Sequence, residues 1–396
     1  MSEVAQVTHS SPDGHIPQLR LPQFSHDWAI STIGNLAKID TGNRDTQDRV
    51  NSGKYPFYVR SNTVERINEY AFDGEAILTS GDGVGVGKNF HYVVGKFNYH
   101  QRVYSIHNFT NSTNGKFIYY YFADKFYRRV SRLSAKNSVD SVRMSMISDM
   151  PISIPAKPEQ QKIAAFLTAV DNKIEQLSKK QELLGEYKKG LMQQIFSQAI
   201  RFKADDGSDF PDWEEKKLGD VAEIVGGGTP PTAVEKYWNG NIQWFTPTEI
   251  KSKFIVNSKR TITQVGLDTS SAKLLPKGTL LFSSRATVGE VGIAVQECTT
   301  NQGFQSFIVN KNNEPEFLYN WIIKNKKEFI RRASGSTFLE IGKSEIKKIK
   351  LHIPALPEQT KIANFLSSID SKIEQVGKQL DESKQFKKAL LQQMFI

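Results

Sequence analysis

Four features of this chain have residue types that could do chemistry, and each fails on spacing or on the residues at its key positions. The string Gly81-Asp82-Gly83-Val84-Gly85-Val86-Gly87-Lys88 invites a phosphate-binding loop. That loop would need glycine where Asp82 stands and Ser or Thr where Asn89 stands. The string reads instead as a tight turn or a close approach of backbone to a neighbour. Pro211-Asp212-Trp213-Glu214-Glu215-Lys216 holds the letters of a PD…ExK nuclease, but Asp212 and Glu214 stand too close in sequence to reach one metal from neighbouring strands. Thr229-Pro230-Pro231-Thr232 has the wrong flanks for the Asn/Asp-Pro-Pro-aromatic tetrapeptide of adenine methyltransferases. The 7 histidines show no HExxH or comparable ligand spacing. The chain is therefore expected to have no catalytic residue, no metal site and no cofactor of its own.

Its charge suggests binding instead. The 396 residues carry 52 Lys+Arg against 42 Asp+Glu, a surplus of +10 that favours an anionic partner. The surplus clusters in two places: Lys125, Arg128, Arg129, Arg132 and Lys136, and again Lys324, Lys326, Lys327, Arg331 and Arg332. Lys259 and Arg260 form a smaller group. Both large clusters are interleaved with aromatic residues (Phe126, Tyr127, Phe329), a composition suited to phosphate contacts along a duplex. Solvated helix faces would produce similar clusters.

The elements that must position these residues come from a repeat. Residues 154–196 recur as 353–395 without a gap, about half of the pairs being identical. A weaker echo aligns Trp28 with Trp213, Ile33-Gly34 with Leu218-Gly219, Ala37 with Ala222 and Gly42 with Gly227. The repeated segments predict long helices, with first-turn prolines at Pro158 and Pro357 followed by Glu159 and Glu358 at the positive helix end. Apolar residues then recur at three- and four-residue steps: Ile163, Leu167, Val170, Ile174, Leu177, Leu184, Leu191 and Ile195 in the first, and Ile362, Leu366, Ile369, Ile373, Val376, Leu380, Leu390 and Met394 in the second. This is a coiled-coil seam in which each helix is the obvious partner of the other. Gln181, Lys188, Ser383 and Lys387 interrupt the seam and are candidates to fix register.

The remaining segments predict two mixed α/β domains. Strand-like runs occur at Ala76–Leu78, Tyr92–Val94, Thr279–Phe282 and Phe307–Val309, and helix-like stretches at Lys116–Leu133 and Glu316–Arg332. The polar link Lys203–Pro211 is a candidate boundary. The organisation expected is a disordered 1–16, globular segments 17–153 and 201–352, and helical segments 154–200 and 353–396. The single cysteine, Cys298, excludes an internal disulfide, the start of the chain lacks a secretory signal, and no apolar run is long enough for a membrane span. A cytoplasmic protein fits best.

This layout resembles the specificity (S) subunit of type I restriction–modification enzymes. The resemblance rests on Pro155–Ile163 and Pro354–Ile362, each reading Pro-x-x-Pro-Glu-Gln-x-x-Ile. It rests also on Val225–Pro230 leading to Tyr237–Ile242, on Ser284–Gly289 and on Asn301-Gln302-Gly303. The first half departs from it: Thr41-Gly42-Asn43-Arg44 stands for the glycine-rich string, and Ser80–Gly85 for the Ser-Arg string. The resemblance implies two α/β (mixed α+β) target recognition domains, separated by two long conserved helices packing as an antiparallel coiled coil. Each domain would read one half of a split, asymmetric site on double-stranded DNA. The helices would dock two methyltransferase (M) subunits, which bind S-adenosylmethionine and methylate adenine N6. Restriction (R) subunits would add cleavage using ATP and Mg. Arg44, Arg102, Arg285 and Gln302 are then candidates for base edges. Lys88, Arg128, Arg129, Arg132, Thr229, Lys259, Arg260, Lys326, Lys327, Arg331 and Arg332 are candidates for other DNA contacts. The competing readings are a coiled-coil adaptor that never touches DNA and a stand-alone DNA-modifying enzyme.

Overall fold

The computed structural model describes residues 16–83, 85–133, 141–285, 287–335 and 339–396. The segment expected to be a disordered tail lies almost wholly outside them, as do Val84, Lys136 and Ala286 of the strings and clusters named above. The chain forms two compact units. One comprises the residues up to Lys179 together with Gly377–Ile396, the other Lys180–Val376. The division runs inside both long helices, and the Lys203–Pro211 link lies within the second unit.

In the first unit the elements run β1 (Ala29–Thr32), α1 (Ile33–Leu36), β2 (Lys38–Thr41), β3 (Tyr55–Tyr58), β4 (Val64–Ile67), β5 (Phe72–Ser80), β6 (Phe90–Tyr99), β7 (Val103–His107), α2 (Gly115–Leu133), α3 (Met144–Ser148), β8 (Pro151–Ile154) and the start of α4 (Lys157–Phe196). A six-stranded sheet has the order β2-β7-β5-β6-β3-β4, and β1 pairs with β8. Strand β5 shows why this sheet is two-sided. Side chains alternate across a strand, so Ile77 joins the core under α2, while Ala76 and Leu78 join a second cluster with Phe97 and Val103. Helix α2 lays Ile118, Phe122, Phe126 and Val130 along one stripe and buries all four.

The second unit continues with β9 (Glu214–Lys217), α5 (Leu218–Val221), β10 (Ala222–Gly226), β11 (Trp238–Phe245), β12 (Phe254–Ile255), β13 (Arg260–Ile262), α6 (Gln264–Asp268), β14 (Leu280–Phe282), β15 (Val291–Ala294), β16 (Cys298–Thr300), β17 (Gln305–Val309), α7 (Pro315–Lys324), α8 (Lys326–Arg332), α9 (Lys343–Lys348), β18 (Lys350–Ile353) and the start of α10 (Leu356–Met394). Its sheets are β10-β17-β14-β15-β12, β13-β11-β16 and β18-β9. The strand β14 repeats the two-sided logic, with Leu280 and Phe282 in one core and Leu281 in another. The stretch predicted as one helix over Glu316–Arg332 is two, broken at Asn325. The Asn325 side-chain amide donates to the Trp321 carbonyl at 2.8 Å, which offers the backbone an alternative to continuing the helix.

Each long helix begins in one unit and ends in the other. In the first unit Ile163 and Leu167 at the start of α4 share a core with Leu390 and Met394 at the end of α10. In the second, Ile362 and Leu366 at the start of α10 share a core with Met192 and Ile195 at the end of α4. Both pairings are antiparallel. Every seam position is buried or half-buried, Val170, Ile174, Leu184, Leu191 and Ile373 being the half-buried ones. Two polar seam residues carry the register: Lys188 pairs with Asp370, and Lys387 with Asp171, pairs related by the sequence repeat.

The glutamates of the repeated Pro-Glu-Gln do more than face a helix dipole. Glu159 is buried and takes a two-pronged ion pair from Arg20 at 2.7 and 2.8 Å, with the Trp28 indole N–H donating to it at 3.4 Å. Glu358 is held the same way by Arg201 at 2.9 and 3.0 Å and by Trp213 at 3.2 Å. The adjoining Gln160 donates to the carbonyls of Pro155 and Ser112 and accepts from the Asn114 N–H; Gln359 donates to the Pro354 carbonyl and accepts from the Glu314 N–H. Upstream of the clamps, the Leu19 N–H donates to the Gln393 carbonyl at 3.0 Å, and the Ile200 N–H donates to the Gln194 carbonyl at 3.2 Å.

Arg20 is only 5% exposed and Glu159 2%, so Arg20→Ala leaves a buried carboxylate without its cation. This should destabilise the first unit by about 3–5 kcal/mol, whereas Arg20→Met with Glu159→Leu should cost clearly less. Urea unfolding followed by tryptophan fluorescence checks both. Equal losses in the two variants would show that packing, not charge pairing, dominates here.

Candidate nucleic-acid interface

In the second unit three strings distant in sequence converge. The Gly228 N–H donates to the Thr300 carbonyl at 2.8 Å, and Ser284 donates to the Gly303 carbonyl through its N–H at 2.8 Å and its hydroxyl at 3.1 Å. The Thr229 hydroxyl donates to the Gln302 side-chain oxygen. This approach requires glycine: a Cβ at Gly227 would stand 2.0 Å from the Asn301 carbonyl oxygen. Thr229 and Gln302 are thus brought together, with the Ser284–Arg285 turn on the adjacent strand end. Arg285 is half-exposed, with its guanidinium on Glu340 at 2.8 Å.

The first unit builds the same junction from different residues. A Cβ at Gly42, the partner of Gly227 in the sequence echo, would stand 1.9 Å from the Tyr99 carbonyl oxygen. The Gln101 N–H donates to the Arg44 carbonyl at 2.8 Å, and the Gly81 N–H donates to the Arg102 carbonyl at 2.7 Å. Arg44 and Arg102 therefore lie on touching loops. The Arg44 guanidinium is paired with Glu69. Arg102 is largely exposed, 3.8 Å from Asp82, which also holds Arg60 at 3.1 Å. His100, between them in the loop, is buried, and that burial pushes its imidazole below the ordinary range. Within the glycine-rich string, residues 85–88 form a turn, Gly83 and Gly87 are in left-handed conformation, and Gly87 is closed against Tyr127.

The basic clusters differ in how far they are neutralised. On α2, Arg129 is committed to the protein: it donates to the Met146 carbonyl at 2.8 Å and the Asp149 carbonyl at 2.9 Å. Lys125 donates to the Phe395 carbonyl. Arg128 and Arg132 are exposed, line a cleft of about 370 Å³ beside Tyr121 and Ile396, and pair with no acid among the described residues. The Lys88 ammonium is also exposed, 5.9 Å over the Tyr127 ring. On α8 the charge is largely answered: Lys326 pairs with Glu290, and Arg331 and Arg332 both pair with Glu328. The Arg332 hydrogen bond holds the Glu328 carboxyl below its usual range. Lys327 is exposed and unpaired among the described residues. The exposed Lys259 gives its backbone N–H to Glu249, and the exposed Arg260 stacks on Trp238.

Sequence reading missed Arg20 and Arg201, and so the pairing of Glu159 and Glu358, which it placed only at the positive helix end; it also missed Arg60 and Gln101, and with Arg60 the ion pair of Asp82. A signal for the first two existed: an apolar-Arg-apolar triplet, Leu19-Arg20-Leu21 and Ile200-Arg201-Phe202, precedes the paired tryptophan in each half. The PD…ExK letters have a structural explanation. Asp212 lies 3.8 Å from Arg201, Trp213 covers Glu358, and Glu214–Lys217 pair with β18. Among the described residues no group of three or more His, Cys, Asp or Glu stands where it could hold a metal ion, and no helix is long and apolar enough to cross a membrane.

The family profile described as "Type I restriction modification DNA specificity domain" matches residues 25–184 and again 211–383. The type I restriction enzyme MjaIX specificity subunit of Methanocaldococcus jannaschii is 39% identical over 191 residues, which span 46% of this chain and 44% of that protein. The EcoDI specificity subunit of Escherichia coli is 23% identical over 390 residues, 90% of this chain and 84% of that one. In fold, the chain is similar to the crystal structure of the type I restriction–modification S subunit from M. genitalium, with a TM-score of 0.65 at 17% identity over 96% of this chain and 99% of that one.

The different duties of neighbouring arginines give a test. Arg129→Ala should lower the melting temperature, because two carbonyls lose their donor. Arg128→Ala and Arg132→Ala should leave melting unchanged, weaken binding to every duplex alike and each flatten the slope of log K against log salt by about one. Titrations at several salt concentrations decide it; a sequence-selective loss from Arg128→Ala would make it a reader rather than an anchor.

Proposed function

The chain belongs to the family of type I restriction–modification DNA specificity proteins, and from that premise we propose that it is the non-catalytic subunit that directs its partners to a split DNA sequence. The observation that carries this is the duplicated junction. Two loop clusters on the same scaffold, each closed by a glycine at a backbone contact, present different side chains: Arg44, Gln101 and Arg102 in one, Thr229, Arg285 and Gln302 in the other. Loops on a rigid scaffold are where readers are expected. Different readers imply different half-sites, so the full target is asymmetric. Phosphate contacts from Lys88, Arg128, Arg132, Lys259 and Lys327 would position the duplex, and the junction residues would specify.

In this reading the partners are double-stranded DNA, two methyltransferase subunits docked on the helices, and restriction subunits in the larger complex. S-adenosylmethionine, ATP and Mg belong to those partners. Methylation needs the adenine out of the stack, and the flipped base would occupy the methyltransferase pocket. The helices would act as a spacer. In this reading the seam, with Lys188–Asp370 and Lys387–Asp171 setting its register, would set the gap between half-sites, as half-site spacing is set for dimeric binders. An adaptor without DNA readout would need neither two diverged junctions nor unpaired arginines.

Co-expression with its methyltransferase subunit in a host lacking adenine methylation, followed by genome-wide mapping of N6-methyladenine, should yield one split, asymmetric motif with a fixed gap. A continuous motif would mean that only one unit reads. Inserting one heptad in each helix, after Leu177 and after Val376, adds about 10 Å and should widen the gap by about three base pairs at roughly 3.4 Å each. A fully active variant with the original gap would refute the spacer.

A further inference from the structure

We propose that Arg260 is a specificity-determining residue that reads a guanine in the half-site of the second unit, and not a phosphate anchor like its neighbour Lys259. The inference rests on the reading that the Thr229–Gln302 junction faces DNA. Arg260 opens β13 and is paired across the ladder with Trp244 of β11. Its guanidinium carbon lies 3.5 Å from the centre of the Trp238 ring and 5.7 Å from that of Trp244. The two indoles are buried and set edge to face at 5.0 Å. Each is fixed by its own N–H: Trp238 donates to the Pro231 carbonyl at 3.2 Å and Trp244 to the Gly228 carbonyl at 2.9 Å. Those two carbonyls flank Thr229, so the platform under Arg260 is part of the junction that holds Thr229 against Gln302.

Arg260 is exposed and pairs with no carboxylate among the described residues, unlike Arg44, Arg285, Arg331 and Arg332. A phosphate anchor needs only charge and reach, which a flexible side chain supplies. A guanidinium held 3.5 Å over the centre of a braced indole, with a second indole beside it, has less freedom to lose when a ligand arrives, and its donor edge is a planar fork. That fork matches the O6 and N7 acceptors of guanine in the major groove, and prior ordering lowers the cost of engaging them. The corresponding hairpin of the first unit, β3–β4, has no counterpart: Arg66 there donates to the carbonyls of Gly53 and Lys54. Of the two hairpins, only that of the second unit thus carries the stacked arginine among the described residues.

The test selects duplexes from a random library with the complex of the full chain and its methyltransferase subunit, comparing wild type, Arg260→Lys, Arg260→Gln and Lys259→Ala. Arg260→Lys keeps the charge and loses the fork. Both Arg260 variants should relax one guanine position of one half-site, by about 5- to 150-fold, with every other position unchanged. Lys259→Ala should keep the motif and lose affinity uniformly. An unchanged motif in Arg260→Lys, or a uniform loss in both Arg260 variants, overturns the assignment while leaving the function intact. A wild-type complex that selects no sequence overturns the reading beneath both.

Discussion

The structure depends on two buried carboxylates. Glu159 and Glu358 sit where each recognition unit hands over to its long helix, and a buried charge is tolerated only when its partners are close and well aimed. Arginine meets that demand with a planar two-pronged contact, and the indole N–H of a buried tryptophan donates to the same carboxylate. A pair held this way has few alternative geometries, so the angle at which the chain leaves the unit for the helix is narrowly defined. The neighbouring glutamine ties the same helix turn to the loop before α2 in the first unit and to the residue that caps α7 in the second. Such precision has a use only if something downstream must be placed accurately, and in both halves what lies downstream is a seam shared with the other helix.

The architecture was legible where the signal was local or repeated. The seam positions follow from three- and four-residue spacing within one helix, and the 199-residue recurrence of the motif makes the two helices each other's natural partner. The strand runs and α2 followed from hydrophobic pattern. The charge partners were not legible, because they are set by tertiary approach: Arg20 and Glu159 are 139 residues apart, and Arg201 and Glu358 157. The same blindness affected the basic clusters. Arg128 and Arg129 are adjacent and alike in sequence, yet one faces solvent and the other is bound to two carbonyls of α3 and its cap. Composition cannot separate them. The break at Asn325 escaped because an asparagine within a helical pattern is common, and only the side-chain bond to Trp321 ends the helix there.

Between the halves, what is kept and what is changed divide cleanly. Scaffold features recur: the glycine at the junction, the Arg–Glu–Trp clamp and the antiparallel seam. Side chains on the junction loops do not recur, and neither does the way charge is balanced. The α8 arginines are answered by Glu328, while Arg128 and Arg132 on α2 meet no acid among the described residues. One scaffold therefore supports two surfaces of different electrostatic strength, and contact with a polyanion should draw unequally on them.

The hydrogen bonds upstream of the clamps match in geometry but not in connection. In the second unit Ile200 meets Gln194 across six residues of continuous chain, so closing that loop costs little entropy. In the first, Leu19 meets Gln393, 374 residues further along the chain. Loop-closure entropy grows with the separation of the joined residues. The first unit is thus a ring shut by a latch where the second is shut by the chain itself. Holding that bond therefore costs the first unit more chain entropy than the matching bond costs the second.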